Sequence, residues 1–134
     1  MVFTPQLRRV PRDDGSDGYK LGHELLDGFI EFTAGRARPQ TIRAYAYDLK
    51  AFFSVVQKDP EQVTTADVLA FVAAQQGPRP GAENVVRFPD ASRGLAPATV
   101  MRRLAAVSSL YAYLVIRGDT TIVANPVPRG LPTR

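Results

Sequence analysis

Hydrophobic positions recur along this chain at steps of three and four rather than two, and they fall into four blocks. Leu21, Leu25 and Phe29, with Leu26 and Ile30 beside them, mark one face of a helix running to about Ala34, where Gly35 stops it. Behind Pro39, the residues Ile42, Tyr45, Leu49, Phe52, Phe53 and Val56 form a continuous apolar stripe. The opposite side of that second helix carries Arg43, Tyr47, Lys50, Ser54 and Gln57. Asp59-Pro60 predicts its end, because the residue before a proline is pushed out of helical backbone angles. A third helix is expected from Thr64 or Thr65, where Thr64 and Asp67 have the spacing of a capping box. Val68, Leu69, Phe71 and Val72 supply its core side, and it fades at Gln76-Gly77. The fourth begins near Pro97, a favourable first helical residue, and steps through Val100, Leu104, Val107, Tyr111 and Leu114 to Gly118. Residues 119–124 read as a last short helical turn.

Between and around these blocks the pattern lapses. Residues 1–19 gather Pro5, Pro11, Asp13, Asp14, Gly15, Asp17 and Gly18 and read as a mobile N-terminal tail, with Arg8, Arg9 and Arg12 as solvated charges. Residues 77–96 read as a long loop between helices three and four, with Val85, Val86 and Phe88 as its anchor on the body. Arg79, Arg87 and Arg93 make that loop only weakly basic, since Glu83 and Asp90 lie among them. Residues 127–134, rich in proline, read as an extended linker. The expected organisation is therefore a tail at 1–19, a helical domain at 20–126 and a linker at 127–134. The expected fold is all-α, with four main helices and no strand.

Composition removes whole classes of chemistry. The 134 residues contain no cysteine, which excludes disulfides, cysteine zinc sites and thiol catalysis. The single histidine, His23, rules out a histidine metal cluster and reads as an exposed surface residue. No P-loop, dinucleotide fingerprint or H-E-x-x-H is present. Asp13 and Asp14 lie in the tail, and capping accounts for Asp67. No catalytic residue, metal site or cofactor is expected. The apolar stretches are too short to span a membrane and nothing resembles a secretory signal, so the expected setting is cytoplasmic, without a membrane partner.

Surface chemistry is what remains. Seventeen basic residues against 13 acidic ones give a net charge of +4 and a pI near 9.8, which suits a polyanion. Part of that charge falls on two helices: Arg43, Tyr47 and Lys50 on the second, and Arg102 and Arg103, with Thr99, at the start of the fourth. Short polar residues near helix starts suit phosphates, and arginine further along reaches base edges in a major groove. The same pattern also fits the solvated charged face that every soluble helix needs.

Family motifs weigh towards the first of these readings. Residues 39–53, P-Q-T-I-R-A-Y-A-Y-D-L-K-A-F-F, resemble the T-x-x-x-Y-x-x-D-L-x-x-F helix of tyrosine recombinases, the phage-integrase family. Thr64 to Phe71 is similar to the following T-x-x-D-V-x-x-F helix, Leu95 to Leu114 to the helix carrying T-I-x-R-R-L, and Asn125-Pro126 to the N-P beyond it. The resemblance implies a four-helix SAM-like core-binding domain that clamps duplex DNA at a recombination site. It also implies other protomers of the same recombinase as partners, a tetramer on DNA in the full-length protein, and a separate catalytic domain holding the tyrosine nucleophile. By the same resemblance the contacts are Thr41, Arg43, Ala44 and Lys50 on the second helix. On the fourth they are Ala98, Thr99, Arg102 and Arg103, and Tyr47 joins the set from its place on the exposed stripe. Two other readings stand beside this one. A helical protein–protein interaction module without DNA binding would use the aromatics as docking residues. A helix-turn-helix regulator fits poorly, since its two helices need a three- or four-residue turn.

Overall fold

The computed structural model describes residues 2–76 and 96–128. Its elements are a hairpin of β1 (Arg8–Pro11) and β2 (Asp17–Lys20), then α1 (Glu24–Ala34) and α2 (Pro39–Val56). A single 3-10 turn at Pro60–Gln62 follows, then α3 (Thr65–Gln76) and α4 (Pro97–Arg117). The loop expected after Gly77, with its arginines and its Val85, Val86 and Phe88 anchor, lies outside the described residues up to Leu95. So does the expected linker beyond Pro128.

Four helices stand where the apolar blocks predict them, and their stripes meet in one core. Leu26, Phe29, Leu49, Phe52, Phe53, Phe71, Leu110, Tyr111 and Leu114 are all buried in it. The Phe52 ring meets Phe53 edge-on and Phe71 at a tilt, each with centroids 5.0 Å apart. Burying each such side chain contributes about 1.5–3 kcal/mol, more than any surface contact described below. α4 is 21 residues long with a mean hydropathy of 1.2 over its most apolar window, which by length and composition alone is enough to cross a membrane. Here seven of its residues, from Val100 to Leu114, are buried in the bundle.

The helix ends follow local chemistry. α3 starts as the capping box predicts: Thr64 Oγ1 accepts from the Asp67 N–H, and an Asp67 oxygen accepts from the Thr64 N–H at 2.9 Å. Gly118 closes α4 at φ +74°, a left-handed conformation that glycine adopts without a Cβ clash. α2 stops earlier than Asp59-Pro60 signals, because Gln57 itself turns left-handed at φ +52°. Asp59 and Pro60 instead begin the 3-10 turn, and the Pro60 carbonyl accepts the buried Tyr111 hydroxyl at 2.7 Å.

Three expectations are corrected. The fold is not purely α, because residues expected as a structureless leader form an antiparallel hairpin in the register Arg8↔Lys20 to Pro11↔Asp17. Gly15, at φ +87°, makes its turn, and the Arg12 N–H donates to the Ser16 carbonyl at 2.9 Å across it. The hairpin is fastened to the body by an Arg12–Glu31 ion pair, by the Gln6 N–H on the Leu21 carbonyl and by Phe3 edge-on to Phe53. Second, residues 119–124 form no helical turn: the Thr121 N–H and hydroxyl both donate to Glu61, and Asn125 Nδ2 donates to the Ser108 carbonyl. Third, His23 is not a freely exposed surface residue but the N-cap of α1, its Nδ1 accepting from the Leu25 N–H at 3.1 Å. That leaves Nε2 to carry the proton towards Asp59 Oδ2, 3.1 Å away.

Candidate nucleic-acid interface

α2 and α4 pack on each other along their buried stripes, which leaves two flanks facing outward beside one another. On α2 the residues Arg43, Ala44, Tyr47 and Lys50 are exposed, as the period of 3.6 requires of positions opposite Ile42, Leu49 and Phe53. On α4 the exposed positions include Ala98, Met101, Arg102 and Ala105. Thr41 and Thr99, both in first helical turns, are half-buried.

Between these flanks lies an open cleft of about 330 Å³ lined by Gln40, Arg43, Ala44, Tyr47, Asp48 and Arg102. Ala44 leaves it wide, since a methyl group is all that projects from α2 there. The Arg43 guanidinium sits 5.3 Å from the centroid of the Tyr47 ring, a cation–π contact. Tyr47 is 47% exposed, unusual for a side chain of its size. Across the cleft, Arg102 Nη2 donates to Asp48 Oδ1 at 2.9 Å. The pair is unequal: the Arg102 side chain is 59% exposed and the Asp48 side chain 4%. Lys50 lies about one turn further along α2, outside the cleft.

The structure therefore brings Arg43, Ala44, Tyr47 and Arg102 together around one opening. It does not bring Arg103 with them. Arg103 reaches across the bundle to α3, where Nη1 donates to Gln75 Oε1, and its Nε is buried without a partner among the described residues. Asp48 and Gln40 were missed as site residues by the reading of the sequence. Asp48 had left one signal, a carboxylate adjoining an otherwise apolar stripe, where an unpaired charge would be strongly disfavoured.

The two helices also begin alike. Each has proline in its first turn, no side-chain cap and no acidic residue there, so first-turn N–H groups and the positive end of the helix dipole stay uncompensated by carboxylate. α1 and α3 do the reverse, with acids at Glu24, Asp27 and Asp67 and side-chain caps. Among the described residues no group of three acidic or histidine side chains converges to hold a metal ion.

Fold and site together define a small helical bundle with a basic, aromatic cleft between its second and fourth helices. The chain belongs to the phage integrase N-terminal SAM-like domain family, which it matches over residues 26–118, more than half its length. The match begins within α1 and leaves the hairpin outside it. Neither the curated proteins nor the solved structures include a match to the chain.

Proposed function

We propose that this chain is the DNA-binding domain of a site-specific tyrosine recombinase, clamping duplex DNA at a recombination site while a separate catalytic domain breaks and rejoins strands. The observation that carries this reading is the convergence of Arg43, Tyr47 and Arg102 on one open cleft between two helices whose first turns lack acids. Membership of the integrase family supports the same class of partner. On this reading Arg43 and Lys50 neutralise phosphates, Arg102 reaches base edges, and Thr41 and Thr99 hold the backbone in register through their hydroxyls, their own N–H groups being bonded to the Arg38 and Ala96 carbonyls. Ala44 and Ala98 give only close van der Waals approach. Arg103 serves the fold through Gln75 rather than the DNA. Assembly with further protomers on the DNA and a cytoplasmic setting belong to the same proposal.

The test is affinity for duplex DNA against salt. Binding led by phosphates loses affinity with a log–log slope of about −0.9 per phosphate neutralised. Arg43→Ala with Lys50→Ala, both exposed positions, should make that slope shallower by about two units and leave the melting temperature nearly unchanged. No duplex binding by the wild-type chain at about 50 mM salt, or equal binding by the double variant, overturns the reading.

A further inference from the structure

We propose that Asp48, although acidic and set within a basic face, is a positioning residue that strengthens duplex binding by holding Arg102 ready in the cleft. The inference rests on the DNA reading and adds a role that the charge pattern alone would deny. Simple charge counting makes any carboxylate beside a polyanion unfavourable. The geometry points the other way.

Asp48 is 3% exposed, the one buried charged residue among those described. Its carboxylate has been taken out of water, which is costly unless a cation and hydrogen bonds compensate. Arg102 supplies that compensation at 2.9 Å. Because the Asp48 side chain is buried and paired with the exposed Arg102, its negative charge is screened from a ligand by the guanidinium. Because Arg102 stays largely exposed, the guanidinium is not consumed by the pair. It has five N–H donors, and Asp48 takes the one assigned in the structure. The remaining donors belong to a side chain that lines the cleft together with Tyr47 and Ala44.

An arginine on a free stem loses several rotatable bonds' worth of freedom when it docks on a guanine edge or a phosphate. An arginine already braced by a fixed carboxylate has lost much of that freedom before binding, so less affinity is forfeited. Asp48 is well suited to bracing, since it sits in the middle of an 18-residue helix with its own side chain buried.

The experiment is a double-mutant cycle with Asp48→Asn, Arg102→Ala and both together, in the 134-residue chain. Affinity is read on a short labelled duplex of mixed sequence at about 50 mM salt. Asp48→Asn is nearly isosteric and keeps the packing while removing the charge. The expected result is that it weakens binding roughly threefold to tenfold despite removing a negative charge, about the reach of one braced side chain. In the Arg102→Ala background the same change should cause no further loss, and removing the now unscreened charge should leave binding equal or tighter. A second reading needs no DNA: the Arg102 Nη resonances should be resolved, with slowed Cζ–Nη rotation, in the wild type, and averaged in Asp48→Asn. Equal or tighter binding by Asp48→Asn overturns the proposal, as does a loss that persists without Arg102, which would mark a purely structural role. A wild-type chain that binds no duplex instead sinks the DNA reading, and a freely rotating Arg102 in the wild type sinks the positioning role by itself.

Discussion

Tyr111→Phe removes one oxygen atom from the centre of the molecule and should lower its stability measurably. The ring is fully buried among the core side chains, and its hydroxyl donates to the Pro60 carbonyl at 2.7 Å. Phenylalanine keeps the ring and its packing, so the change isolates the hydrogen bond. A typical bond contributes about 0.5–1.5 kcal/mol net, and stranding a buried carbonyl costs about 1–3 kcal/mol. Part of this is offset because phenylalanine has no hydroxyl to desolvate, which leaves an expected loss of about 1–2 kcal/mol. For a chain of this size that is a drop of roughly 3–6 °C in melting temperature, or a lower urea midpoint with unchanged slope. Burial also drives the Tyr111 phenol well above its ordinary value of 10, with the nearby Asp59 and Asp67 charges adding to the shift. A raised acid of this kind stays protonated in the fold while the unfolded chain releases the proton, so wild-type stability should fall as pH rises above about 10. Tyr111→Phe should lack that part of the alkaline loss. Unaltered stability of the variant at neutral pH, together with an unaltered alkaline limb, would refute the assignment of this hydrogen bond.

Other expectations follow from single residues. Gln57→Gly relieves a left-handed conformation that a side chain resists, and should raise stability by up to about 1 kcal/mol in thermal melts. Burial alone would raise the Asp67 carboxyl, but hydrogen bonds from the Thr64 N–H, the Thr64 hydroxyl and Lys58 outweigh it and hold the group below its ordinary 3.8. Its contribution is therefore complete above about pH 4 and is lost as the pH falls through its lowered value. Asp67→Asn should be less stable than wild type by about 1 kcal/mol at pH 7, with the gap closing on acidification in denaturant titrations.

Which parts of this were legible in the sequence follows from how each element is held. α2 and α4 are long, so their stripes repeat through several turns and the core they build leaves little freedom in register. The hairpin has no such pattern. Its strands are four residues each, with only Val10 and Tyr19 as larger apolar members, and Asp14-Gly15 was its one turn signal. Tertiary fastening by Phe3, Gln6 and Arg12 decides its structure, and none of those contacts is visible locally. The site divides in the same way. Helical spacing was enough to place Arg43, Tyr47 and Arg102 outward. It could not show that Arg102 leans back onto α2 while the neighbouring Arg103 turns towards α3, because that depends on how three helices pack.

The helix starts expose a tension between stability and the proposed ligand that can be tested at one residue. An N-cap side chain is worth about 0.5–2 kcal/mol, and Ala96 holds the extended backbone of an N-cap, φ −61° and ψ 145°, without supplying one. The fold would gain from either serine or aspartate there. A phosphate near the first turn of α4, close to Thr99, would respond to them differently: serine adds no charge, whereas aspartate competes for the same N–H groups and repels the ligand. Ala96→Ser and Ala96→Asp should therefore both raise the melting temperature by about 2–5 °C. Only Ala96→Asp should weaken duplex binding, by roughly tenfold at low salt, with the difference shrinking as salt screens the added charge. If both variants are stabilised and both bind DNA as the wild type does, the start of α4 lies away from the phosphates, and the contact surface has to be sought along the cleft alone.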